Sequence, residues 1–316
     1  MSTKPYTYQA TAGAPTDEAV LGAYHSAPGF AVPDGACDCH VHVFGPREKY
    51  PLANDRTFAP GIASLDDVLA MHQRLGITRV VIVQASPQGF DNACMEDALQ
   101  ELQRRGRQAR GVAVVRPDTG RDVLEGLHAK GVRGLRVNLQ SYGQTDPAVA
   151  AARLSAAAAL AAQLGWHIQT YTTLEVIAAL AEHIRRLPTP LVVDHFGLAD
   201  PARGLDQHGL PELLALVRQG KVYVKLSAPY RFISRLDGED MGPVTRALID
   251  AHPERMLWGT DWPHTGPWPG RAREREGAEP FHPVDDGLQL RILARHTSAE
   301  ERQRILVDNP RRLYAF

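Results

Sequence analysis

CDCHVHVF, residues 37–44, is a short run of apolar and β-branched residues interrupted by two histidines one position apart. Its length and composition predict a buried strand. Side chains alternate along a strand, so Asp38, His40 and His42 are expected on one face, with Cys37, Cys39, Val41 and Val43 on the other. The apolar set should meet surrounding helices and the polar set should point inward. On that parity Cys39 and His40 diverge, the cysteines are small buried apolar residues, and the strand carries no Cys/His metal site.

Outward from this run, similar ones recur: TRVVIVQA at 78–85, RGVAVV at 110–115, VRGLRVNL at 132–139 and WHIQTY at 166–171. PLVVDH at 190–195, VYVKLS at 222–227 and MLWGTD at 256–261 complete the set. Helical segments are expected between and after them at 65–75, 91–106, 121–130, 147–164, 174–186, 210–219, 240–251, 284–296 and 298–307. Ser64 is placed to cap the first, and Gly165 stops the alanine-rich fourth. Such alternation predicts an α/β chain folded as a (β/α)8 TIM barrel. An open doubly wound sheet would ordinarily carry Gly-x-Gly-x-x-Gly after its first strand, which is absent. One domain is expected over 31–316, preceded by an N-terminal arm over 1–30.

Composition narrows the class of function. The 35 basic and 36 acidic residues leave a net charge of -1, so no overall field holds nucleic acid or an anionic membrane. The first residues lack the apolar run of a secretory signal, and nowhere is there a stretch of about 18 apolar residues to span a bilayer. Three cysteines make no disulfide framework and suit a reducing compartment, so a cytoplasmic protein is expected. Nothing in the sequence defines the oligomeric state.

The polar residues that interrupt these strands gather at their ends. Asp194-His195 closes VVDH and Asp261 closes MLWGTD. In a barrel those ends converge on the catalytic mouth. Imidazole and carboxylate groups on otherwise apolar strands are costly to bury unless something uses them. Two readings follow for His40, His42, His195 and Asp261. They can bind Zn²⁺, which would activate a water. Alternatively, Asp261 is a general base while the imidazoles polarise a substrate carbonyl. A non-catalytic binding barrel has no use for such a carboxylate beside three histidines. His167, near the start of its strand, is assigned to the core, whereas Gln169 and Tyr171 share its parity nearer the mouth. Arg136 and Arg231 are candidate clamps for an anionic substrate, although Arg136 can instead pair with a neighbouring carboxylate. Ser86 and Tyr142 are further candidate contacts. So is His264, at the root of the 262–283 segment, which is long enough for a lid or binding loop. Within it RAREREGAE, 271–279, alternates in charge and is expected to be a solvated surface.

From Cys37 to the C-terminal tail the chain resembles the 2-pyrone-4,6-dicarboxylate hydrolase branch of the amidohydrolase superfamily. The resemblance rests on DCHVHVFGP at 38–46, VVIVQAS with DN within 80–92, GVRGLRVN at 131–138, VVDHFG at 192–197, LWGTDWPH at 257–264 and LVDNPRRLY at 306–314. It implies a (β/α)8 fold and hydrolytic opening of a small anionic lactone. Asp261 would activate water, the three histidines would assist at the carbonyl, and no metal cofactor would be required; a Zn²⁺-dependent lactonase or a decarboxylase of the same superfamily is the alternative. The enzymes it resembles carry further arginines just after the fourth strand and after the DH-x-G of the sixth. Tyr142 and Leu198 stand there in this chain. A lactone with fewer or differently placed anionic groups is therefore expected, such as a muconolactone-like, sulfonated or sugar-acid lactone.

Overall fold

The computed structural model describes residues 25–231, 241–267, 272–273 and 275–316. All eight apolar runs form strands: β1 Cys37–Val41, β2 Arg79–Val83, β3 Gln108–Ala113, β4 Val132–Asn138, β5 His167–Tyr171, β6 Leu191–Val193, β7 Val222–Ser227 and β8 Met256–Gly259. They lie in chain order in one sheet, with every pair from β1/β2 to β7/β8 parallel. Beyond β8 the chain returns to β1. The Asp261 amide donates to the His40 carbonyl and the His42 amide to that of Trp262, each at 2.9 Å. The sheet thus curls into the (β/α)8 barrel.

Helices cover its outside. Leu65–Leu75 starts in a capping box, in which the Ser64 hydroxyl accepts from the Asp67 amide and the Asp67 carboxylate accepts from that of Ser64. The alanine-rich segment forms Pro147–Ala162. The expected helix over 174–186 is two shorter ones, Leu174–Ala179 and Ala181–Arg186, divided at Leu180 (φ −102°, ψ 8°). The closing helix runs further than expected, from Ala299–Gln303 through a π-helical turn, Arg304–Asp308, into Asn309–Tyr314. No helix among the described residues is long and apolar enough to cross a membrane.

The expected parity of β1 is corrected by a register shift. Asp38 lies opposite Val80 and Val41 opposite Ile82, so Cys39 and His40 together face the single residue Val81. The extra residue changes which side chains point inward. Cys37 and Cys39 pack with Val81, Val83, Val112, Val192, Tyr223 and Leu257 inside the barrel, over a plug formed by Tyr314. Asp38 turns outward instead and meets His72 of the Leu65–Leu75 helix at 3.0 Å. Beyond the shift His40 and His42 both face inward. His167 joins the buried layer at the plug, its ring 5.1 Å from that of Tyr314.

Candidate active site

The strand ends bring His40, His42, His195 and Asp261 to one point. His40 Nε2 lies 3.3 Å from His42 Nε2. Asp261 Oδ1 lies 3.5 Å from His40 Nε2 and 3.7 Å from the Nε2 atoms of both His42 and His195. All four are buried. His195 (φ 52°) and Asp261 (φ 64°) both adopt the left-handed backbone region. That conformation is uncommon for residues with a Cβ and tends to be kept where function requires it. Gly259 allows the close approach of β8 to β1, because a Cβ there would lie 2.8 Å from both Cβ and N of His40.

Each group is oriented by a second contact. Asp261 Oδ2 accepts from the Tyr230 hydroxyl and from Arg231 Nε, both at 2.6 Å, while Oδ1 has no hydrogen-bond partner. His42 Nδ1 faces the Val83 carbonyl at 2.8 Å. His195 Nδ1 shares a 2.8 Å hydrogen bond with the Ser227 hydroxyl, and its Nε2 is unpartnered. Beneath them is a buried polar layer. Lys225 Nζ donates to Gln169 Oε1 at 2.7 Å and lies 3.2 Å from His40 Nδ1 and 3.4 Å from Asp194 Oδ1. Asp194 Oδ2 accepts from Gln169 Nε2 at 3.0 Å and is 3.7 Å from Arg136. Arg136 also donates to the Gln84 carbonyl at 2.9 Å.

Burial sets the charge states. It pushes His40, His42 and His195 well below the ordinary imidazole range, and the nearby cations add to the effect. These rings are neutral near pH 7. Burial also raises the Asp261 carboxyl above its usual range, although Arg231 and Tyr230 pull it down. Burial acts the same way on Asp194, but Lys225, His195 and Arg136 outweigh it and hold that carboxyl low.

The donor set can also hold a metal. His40, His42 and Asp261 form one suitable group, and His40, Asp194 and His195 another. A tetrahedral ion with bonds of about 2.0–2.2 Å needs ligand atoms about 3.3–3.6 Å apart. Among His40, His42 and Asp261 the 3.3 and 3.5 Å separations fall within that range, and the 3.7 Å separation of His42 from Asp261 lies just beyond it. The unpartnered Asp261 Oδ1 has a lone pair to offer.

A narrow throat above His42 is lined by Arg136, Tyr171, Arg231 and Ser86, and a cavity of about 930 Å³ adjoins it. Ser86, Arg136 and Asn138 belong to both. Tyr142 lines the cavity and donates its hydroxyl to the Ser86 carbonyl at 3.3 Å. Gln169 lies in the layer below rather than at the opening. The His264 imidazole is engaged by Asp286 at 3.1 Å, and His25 reaches the same carboxylate at 3.2 Å. The charged run at 271–279 is solvated as expected at Arg275 and Glu276, while Arg273 and Glu279 depart from that character. Arg273 reaches the throat, stacks on Phe58 at 3.7 Å and pairs with the buried Glu279. Arg271 and Glu274 lie outside the described residues.

Sequence reasoning missed Lys225, Ser227, Tyr230 and Arg273, and assigned Asp194 no role of its own. One signal was present. In VYVKLS, Tyr223, Lys225 and Ser227 share parity, so a lysine on the inner face of a buried strand marks a polar layer inside the barrel.

The sequence profile of the amidohydrolase family matches residues 37–316. The chain is 36% identical over 304 residues to the 2-pyrone-4,6-dicarboxylate hydrolase of Comamonas testosteroni, covering 92% of this chain and 93% of that one. It is 33% identical over 292 residues to the 4-sulfomuconolactone hydrolase of Hydrogenophaga intermedia, covering 90% of each. A solved structure from Pseudomonas putida, described as a candidate 2-pyrone-4,6-dicarboxylic acid hydrolase, superposes with a TM-score of 0.74 at 32% identity. The match covers 89% of this chain and 97% of that one.

Proposed function

This chain belongs to the amidohydrolase family, and we propose that it hydrolyses a small anionic lactone, carboxylated or sulfonated, with Asp261 activating the water. The observation that carries this reading is the asymmetry of Asp261: Oδ2 is fixed by Tyr230 and Arg231, and Oδ1 is unpartnered beside three imidazoles. A buried carboxylate with a raised pKa is a stronger base than a solvated one. As water attacks the lactone carbonyl, Asp261 takes its proton and a new C–O bond forms. Imidazole N–H groups stabilise the tetrahedral oxyanion. Collapse breaks the bond between the acyl carbon and the ring oxygen. The proton held by Asp261 passes to that leaving oxygen, giving an acid with a free alcohol or enol.

The charge of the site favours an anion. Two buried cations, Arg136 and Lys225, and the half-buried Arg231 accompany two buried carboxylates, Asp194 and Asp261, with the imidazoles neutral. An anionic ring entering the throat meets that surplus beside Arg136 and Arg231. Tyr142 and Leu198 stand where the pyrone dicarboxylate hydrolases that it resembles carry arginine. A sulfonated or singly carboxylated ring therefore suits this chain better than the doubly carboxylated pyrone. Such substrates belong to the breakdown of aromatic compounds. Three free, buried cysteines agree with a cytoplasmic setting. Residues 31–316 act as one catalytic domain. The described end of the arm packs on it through Ser26, whose amide donates to Asp285 at 2.8 Å.

The 3.3–3.7 Å donor spacing favours a second reading, in which His40, His42, His195 and Asp261 hold Zn²⁺. A bound ion would supply Lewis acidity toward the carbonyl and lower the pKa of water. One experiment separates the readings: acid release from a panel of lactones, with metal content measured on the same chelator-free sample and activity reassayed after chelation. The expected result is fastest opening of a sulfonated or singly carboxylated lactone and retention of activity by metal-free protein. Loss of activity on chelation selects the zinc reading. Failure to open any lactone, or pyrone dicarboxylate turnover matching the best alternative, contradicts the proposed substrate class.

A further inference from the structure

We infer that Lys225 is a positioning residue: it fixes the tautomer of His40 and sets its Nε2 to donate a hydrogen bond rather than ligate a metal. The inference rests on the proposed hydrolytic reading only for its consequence. Its geometry stands alone. Lys225 is fully buried on the inner face of β7. Its Nζ lies 2.7 Å from Gln169 Oε1. The orientation of that amide is set at its other end, where Nε2 donates to Asp194 Oδ2 at 3.0 Å. Gln169 Oε1 can only accept, so Lys225 donates to it.

The next contact determines His40. An ammonium has three donors and no acceptor, so His40 Nδ1, 3.2 Å from Nζ, must accept. Asp194 Oδ1 is 3.3 Å from the same nitrogen, yet it accepts no hydrogen bond. The single proton of neutral His40 therefore sits on Nε2, which faces His42 Nε2 at 3.3 Å. His42 agrees with that direction. Its Nδ1 lies 2.8 Å from the Val83 carbonyl, a pure acceptor, so Nδ1 carries the proton and Nε2 accepts. Hydrogen bonds thus run one way, from Lys225 through His40 and His42 to Val83.

This polarity has a chemical consequence. His40 carries at Nε2 an N–H, donated to His42 and 3.5 Å from Asp261 Oδ1, for which a developing oxyanion would compete with His42. A metal ligand there needs the Nε2 lone pair, and the proton must then move to Nδ1, the position that Lys225 occupies as donor. Removing the ammonium frees Nδ1–H to turn toward Asp194 and exposes the lone pair of Nε2.

The test uses the full chain labelled with ¹⁵N-histidine, with His40 assigned by comparison with His40→Gln. Long-range ¹H–¹⁵N spectra of the unsubstituted protein should show His40 protonated at Nε2; protonation at Nδ1 overturns the inference. In Lys225→Met the expected changes are a switch to Nδ1–H, at least about tenfold tighter Zn²⁺ binding by equilibrium dialysis, and a lower kcat with little change in KM. Unchanged tautomer and Zn²⁺ affinity in a folded Lys225→Met protein also overturn it. If that variant does not fold, the spectrum of the unsubstituted protein decides. Tautomer and zinc affinity are read without substrate, so a failed lactone assay does not count against Lys225.

Discussion

Asp261 combines two opposed demands. Arg231 and Tyr230 hold one oxygen and favour the charged form, while burial favours the neutral one. The outcome is a carboxyl that holds a proton more tightly than an ordinary one. Removing the Tyr230 hydroxyl removes a donor to the charged form, so the proton binds more tightly. Tyr230→Phe should move the acid limb of the kcat/KM–pH profile upward, since activity requires the deprotonated base. A limb that stays in place or moves down contradicts this assignment. His40, His42, His195 and Asp261 were legible because polar residues at apolar strand ends have few structural uses. Lys225 was harder to recognise, because one lysine in VYVKLS also fits a solvated position until its parity with Ser227 is considered. Tyr230 and Arg273 were not legible, since their placement depends on how loops fold over the mouth.

The strands were legible as elements because their apolar runs are separated by helix-length segments, and all eight formed where expected. The inner face of β1 was not. A register shift inserts one residue without a glycine or proline to mark it, and this reversed the assignment of Asp38 and the cysteines. At this bend β8 approaches closely through Gly259. Gly259→Ala sets a methyl against the His40 backbone, which has little room to yield. It should cost about 1–3 kcal/mol of stability, as overpacked cores do. It should also lower kcat more than it raises KM, because His40 moves. Thermal unfolding and steady-state kinetics check both, and an unperturbed melting temperature contradicts the close-approach argument.

Across the molecule, burial of histidines couples stability to pH. Burial pushes both His167 and His282 down to about 3. In the unfolded chain they titrate near 6.5. Their folded pKa values are depressed, so the unfolded state binds protons first as pH falls. The stability they contribute is complete above about pH 6.5 and is lost progressively toward pH 3. Urea unfolding should give a lower midpoint at pH 5 than at pH 7.5; an equal or higher midpoint contradicts the coupling. The near-neutral net charge gives no comparable guide to the site, where two buried cations and the half-buried Arg231 accompany two buried carboxylates. That local excess appears only when distant strand ends are brought together.

The most direct test of the whole account is Asp261→Asn on the best lactone of the panel. The amide keeps nearly the same shape but cannot take the proton of water. A general base contributes about 10²–10⁴-fold, so kcat should fall by about 10³-fold, with KM within a few fold and the circular dichroism spectrum unchanged. Retention of full hydrolytic activity by a folded Asp261→Asn protein would contradict the account.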